Sequence, residues 1–158
     1  MNNLSVTISD GFKRSFQDFN RRARALSEEL TEEQFWAKPF PYGNSFGHLV
    51  LHITGNLNYY IGAQLASTGY LRNRELEFTD SAPPPKEEAL RRLDEAVALV
   101  MAELDRQKDD DWAKNYSAIG VDEGDRFSIF LRCAVHFHHH IGQMIYLIKE
   151  RAAASPRF

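Results

Sequence analysis

The sequence predicts an all-α protein: a four-helix bundle with a long crossover loop and a short hairpin before the last helix. Two observations carry this. Four long stretches repeat apolar residues at steps of three and four, the period of a helix with one buried face. The breaks between them are polar and mostly short, with one longer proline-closed connection, and short breaks join antiparallel neighbours in a bundle. At 158 residues the chain can bury one core, so residues 1–158 are expected to form a single domain.

The first helix is expected from about Ser9 to Leu30. Phe12, Phe16, Phe19, Ala23 and Leu26 share one side, with Lys13, Arg14, Arg21 and Arg22 largely between them. Thr31, followed three residues on by Gln34, reads as a capping box that opens a short turn carrying Phe35 and Trp36. Pro39, Pro41 and Gly43 break the chain into a loop. Asn44 or Ser45 can then cap the second long helix, Phe46 to about Ser67. Leu49, His52, Ile53, Asn56, Tyr59, Tyr60 and Ala63 lie along one broad side of it. His52 faces inward on this pattern, and His48, one turn nearer the helix start, is expected to be more exposed.

After Gly69 and Tyr70, the segment LRNRELEFTDSAPPP is polar and charged. It reads as the crossover, with Arg72, Arg74, Glu75, Glu77 and Asp80 in solvent and an arginine as a candidate substrate contact. Pro85 is well placed at the first turn of the third long helix, where Glu87 and Glu88 favour the positive end of the dipole. Leu90, Leu93, Val97, Val100, Met101 and Leu104 form its stripe, and it offers no inward histidine. A hairpin is expected next, with NYSAIGV and DRFSI as strands about a turn at Asp122 to Gly124. The fourth long helix runs from about Phe127 to Ala153, with Ile129, Cys133, His136, His140, Gln143 or Met144, and Leu147 inward.

That last helix carries AVHFHHHIGQMIYLIKE, with four of the six histidines. His136 and His140 are four residues apart, so their side chains stack on one helix face, roughly 6 Å apart at Cβ. His138 and His139 are turned away from that stripe by about 200° and 300°. Cys133 and His140 are separated by about 10.5 Å of helix rise, too far to share an ion, so Cys133 reads as a buried thiol. Metal sites in bundles are built from side chains on facing helices. The pattern supports one three-ligand set, His52, His136 and His140. Three histidines leave one tetrahedral position open, as in catalytic zinc sites.

Composition narrows the function. With 43% hydrophobic and 26% charged residues and a net charge of −3, the chain lacks the basic excess of a nucleic-acid binder. A single cysteine excludes an intrachain disulfide and fits a reducing, cytoplasmic setting. The opening MNNLSVTISDGFKRSF has no apolar run behind a basic start, so no signal peptide is expected. No stretch is long and apolar enough for a membrane span.

NSFGHLVLHITGN, then RNRELEF, then HFHHHIGQMIYLIKE together resemble the DinB/YfiT-like superfamily of metal-dependent enzymes, over roughly Phe12 to Lys149. The segments correspond to N-S-x-x-x-L-V-x-H-x-x-G-N, R-x-R-x-x-E-F and H-x-x-x-H-x-G-Q patterns. The resemblance implies a four-helix bundle, commonly a homodimer, with zinc or nickel held by one histidine of the second helix and an H-x-x-x-H pair of the fourth. By position these are again His52, His136 and His140. Relatives include transferases and isomerases that act with low-molecular-weight thiols such as bacillithiol or mycothiol, alongside many members with no assigned activity.

No acidic residue stands in the inward stripes of the second and fourth helices. A metal-bound thiolate needs no general base, which favours thiol transfer to a small-molecule substrate over metal-dependent hydrolysis. Asn56 and Tyr59 are candidates to line the substrate pocket or simply to pack. Gln143 is placed to hydrogen-bond a ligand histidine from behind or to cap a core polar group. The competing class is a non-catalytic, metal-stabilised binding or dimerisation bundle, using Phe12, Phe16 and Phe19 or the segment of Trp112 and Tyr116 as its interface.

Overall fold

Helix α1 (Leu4–Ser27) begins a turn earlier than expected because Asn3 caps it. The Asn3 side chain accepts from the N–H groups of Ser5 and Val6, at 2.9 and 3.4 Å, donors that a helix start leaves unpaired. At the other end, Lys86 Nζ donates to the carbonyls of Ser27 and Leu30, both at 2.7 Å. Charge-assisted bonds of this kind contribute about 2 kcal/mol. Lys86→Met is expected to lower unfolding stability by about that amount, measured as the shift in urea midpoint. The coordinates form a computed structural model and describe residues 3–119 and 121–154, with 121–123 and 154 through the backbone alone.

Helix α2 (Glu32–Trp36) opens with both halves of the expected capping box. Thr31 Oγ1 accepts from Gln34 N–H at 3.2 Å, and Gln34 Oε1 accepts from Thr31 N–H at 3.0 Å. It packs on α3 (Phe46–Leu57) across Gly47. A Cβ there would overlap the Trp36 ring and come within 2.8 Å of Phe35 Cε1. Gly47→Ala is therefore expected to destabilise, because overpacking costs about 1–3 kcal/mol against a helix-propensity gain of about 1. A lowered Tm would show it.

Ser45, not Asn44, caps α3. Ser45 Oγ accepts from His48 N–H, and His48 Nδ1 accepts from Ser45 N–H, both at 3.1 Å. His48 is thus buried at 8% exposure, not solvent-facing as its position suggested. The helix also stops sooner than Ser67. It widens into a π-turn over Asn58–Ala63, and Ser67 takes a left-handed φ of 54°. The crossover holds a short helix, α4 (Leu76–Thr79), before α5 (Lys86–Arg106).

The hairpin exists with shifted strands. β1 (Asn115–Ala118) pairs antiparallel with β2 (Val121–Asp125). The chain therefore reverses before Val121, not at Asp122 to Gly124, and Gly120 lies outside the described residues. Gly124 sits within β2, opposite Tyr116, with a φ of 77° that an L side chain rarely adopts. The last helix, α6 (Arg126–Ala154), opens within a residue of the expected Phe127, so of DRFSI only Asp125 belongs to the hairpin.

α1 and α3 each pack against both α5 and α6, which closes the four-helix ring. Phe16, Phe35, Ile53, Leu57, Leu93, Phe130 and Phe137 are all fully buried within it. Phe16, Trp112 and Tyr116 are core residues at 0%, 6% and 6% exposure, so they are not available as an interface. Trp112 Nε1 donates to Ser5 Oγ, and Tyr116 Oη donates to the Tyr60 carbonyl, both at 2.9 Å. The fold is all-α but for the hairpin. No helix among the described residues is long and apolar enough to cross a membrane.

Candidate metal centre

α3 and α6 bring His52, His136 and His140 together. His136 Nε2 lies 3.0 Å from His52 Nε2 and 3.1 Å from His140 Nε2. The rings stand steeply to one another, with interplanar angles of 66° to 90°. His52 and His140 are buried.

The partners behind the rings decide which nitrogens face the gap as lone pairs. His52 Nδ1 is 2.7 Å from Glu77 Oε2. A carboxylate only accepts, and at 2.7 Å it outweighs Arg72 Nη2, which lies 3.3 Å from the same nitrogen, so Nδ1 carries a proton and, in the neutral ring, Nε2 is bare. His140 Nδ1 is 2.7 Å from Gln143 Oε1, while Gln143 Nε2 donates to His139 Nε2 at 3.1 Å. That orientation of the amide makes His140 an Nδ1–H tautomer too. Two lone pairs therefore point at His136 Nε2, and one N–H there cannot serve both well. His136 Nδ1 is buried without a partner.

These residues suit a divalent ion. Tetrahedral coordination at about 2.0–2.1 Å per imidazole nitrogen spaces the nitrogens about 3.3–3.4 Å apart, close to the two observed separations. Among the described residues no other His, Cys, Asp or Glu joins the cluster.

Charge inside the cluster is disfavoured as well. Burial, then the neighbouring His140, His52 and Arg72, pushes the His136 pKa down to about 3. Burial brings His140 down to about 4, with the Gln143 hydrogen bond opposing it. Both rings are thus neutral at neutral pH, the form that binds metal. Both also take up protons less readily folded than unfolded, where the ordinary value is 6.5. The metal-free protein should hold full stability above that value and lose it as pH falls from there towards about 3. A Tm series in chelator is expected to fall through this window; a flat series would contradict the burial of the two rings.

The crossover supplies what sequence reasoning missed. Glu77, on α4, is 7% exposed, and its carboxylate is shared between His52 and Arg72. Arg72 Nε lies 2.7 Å from Oε1 and Arg72 Nη2 3.0 Å from Oε2. Neither residue is in solvent as expected. The Phe78 ring packs against His52, tilted by 41° with ring centroids 4.9 Å apart. Gly55 of α3 leaves the room, since a Cβ there would overlap Glu77 Oε1. The signal was the R-x-R-x-x-E-F segment, whose matching residues are Arg72, Arg74, Glu77 and Phe78.

A sequence profile described as the DinB superfamily matches residues 15–144. The chain belongs to the DinB superfamily. A crystal structure of a DinB-like protein from Bacillus cereus ATCC 10987 superposes with a TM-score of 0.68 and 16% identity, over 90% of this chain and 92% of that one. At that identity the likeness concerns the fold. No curated protein matches the chain.

The other candidate positions in this DinB-superfamily chain differ in what they touch. Gln143 bonds His140 from behind. Asn56, one turn beyond His52, is buried at 5% exposure, with its Oδ1 lacking a partner. The Tyr59 hydroxyl accepts from Ile119 N–H at 3.3 Å, which ties the π-turn to the hairpin. Cys133 is buried at 1% exposure.

Proposed function

We propose that this DinB-superfamily chain is a metal-dependent enzyme that transfers a low-molecular-weight thiol to a small electrophile. Its zinc or nickel ion would be held by His52, His136 and His140. The convergence of three imidazole Nε2 atoms, at 3.0 and 3.1 Å across the cluster, carries the reading. A bound divalent ion would lower the pKa of a coordinated thiol or water and so supply a nucleophile at neutral pH.

The protein's part is to hold three imidazoles in one geometry. Glu77 and Gln143 orient two of them from behind. Three protein donors leave a position for an exchangeable ligand. Thiol transfer is favoured over hydrolysis by the state of Glu77. Its carboxylate is engaged by Arg72 and His52, so it is not a free base for water. Asn56 Oδ1, buried and unpartnered, is offered as a substrate contact, with Tyr59 as a second candidate. The protein is further proposed to act as a homodimer, which sedimentation would test.

The deciding experiment is elemental analysis of untagged protein prepared without chelator, followed by zinc and nickel titration. About one equivalent of metal, with loss of free thiol when an electrophile and bacillithiol or mycothiol are added, would support the proposal. Absence of metal, with no uptake of either ion, would overturn it.

A further inference from the structure

We infer that Glu77 is the positioning residue of the metal centre, holding His52 with its proton on Nδ1 and its bare Nε2 aimed into the gap. The inference rests on the metal-centre reading above and goes beyond the three ligands to the crossover segment. It starts from an imbalance. His136 Nδ1 has no partner and His140 Nδ1 has a neutral amide, whereas His52 Nδ1 meets a carboxylate at 2.7 Å. Hydrogen bonds to a charged acceptor are roughly twice as strong as neutral ones, so His52 is the ring most firmly set.

Three further contacts show that the carboxylate is built into this place. Arg72, with 10% of its side chain exposed, grips both Glu77 oxygens, matching a charge that would otherwise be costly to bury. Arg72 is itself steadied over the Tyr60 ring, 5.9 Å from its centroid. The turn that leads into α4, which carries Glu77, is braced by Asn73, whose Oδ1 accepts from Leu76 N–H at 3.2 Å. A carboxylate behind a ligand histidine fixes its tautomer and raises its basicity. The crossover is on this account a working part of the centre, and Arg72 acts through Glu77 and by its own approach to His52 Nδ1, at 3.3 Å, without touching the ion.

Two measurements test this, one needing no metal. In the metal-free protein, long-range ¹⁵N–¹H correlation spectra should show His52 as the Nδ1–H tautomer, and a mixture in Glu77→Ala. Zinc affinity by competition with a chromogenic chelator should fall about tenfold in Glu77→Gln and about a hundredfold in Glu77→Ala. Glu75→Gln, on the exposed side of the same segment, should leave it unchanged. The Co(II) absorption bands should shift in Glu77→Gln, a change that loss of folding stability alone would not produce.

Wild-type affinity in both Glu77 variants would overturn the inference while leaving the three-histidine site intact. So would an Nε2–H tautomer of His52 in metal-free wild type. A wild-type protein that takes up no metal would remove both readings together. If Glu77→Ala does not fold, Glu77→Gln, which keeps the shape and an acceptor oxygen, still decides.

Discussion

His136→Ala is expected to abolish metal uptake, from about one equivalent in the wild type to less than about a tenth in the variant. His136 is the middle of the cluster: its Nε2 is the atom that approaches both other rings. Removing it leaves two donors, and affinity should drop at least about a hundredfold. The effect on the metal-free protein should be small. Its Nδ1 is buried and unpartnered, and leaving such a group unmade costs about 1–3 kcal/mol. Alanine removes that cost, offset in part by lost packing. Metal-free variant and wild type should therefore melt close together. Zinc at about a hundred times its Kd contributes about 2.7 kcal/mol to the wild type, or roughly 5–10 °C in Tm for a chain of this size. The variant should show no such rise. An equal rise in both would place the ion elsewhere.

Gly55→Ala should be strongly destabilising. Alanine in a helix interior gains about 1 kcal/mol over glycine, so a surface site would be stabilised. Here the added Cβ overlaps Glu77 Oε1 and comes within 3.3 Å of Arg72 Nε. The carboxylate cannot swing away without leaving His52 and Arg72. Breaking a buried ion pair costs about 3–5 kcal/mol, which exceeds the propensity gain. We expect a Tm lowered by roughly 5–15 °C together with weaker zinc binding. Normal stability and affinity would show that Glu77 has room to retreat.

The three histidines were legible because a helix converts sequence spacing into direction. His136 and His140 needed only the four-residue step, and His52 needed only the apolar stripe that turned it inward. Glu77 escaped because α4 is a single turn within a charged segment. No period exists there to say which of Glu75 and Glu77 points in. The resemblance marked the segment without saying what it does. His48 was misjudged because position along the helix stood in for exposure. It occupies the third residue after the cap, where its ring acts as Gln or Glu would in a capping box. The hairpin was misplaced because Gly124 was read as a turn residue. Its positive φ instead serves the penultimate residue of a strand, beside a shift in the pairing register.

His52 and His136 are 84 residues apart in the chain. An ion shared between them would be a staple across about half of the polypeptide. By the chain-entropy relation used for covalent cross-links, closing a loop of that length removes about 4–5 kcal/mol of disorder from the unfolded chain. Loading the centre would then do more than equip it for chemistry. It would knot α3 to α6, and escape of the ion and opening of the bundle would become a single event.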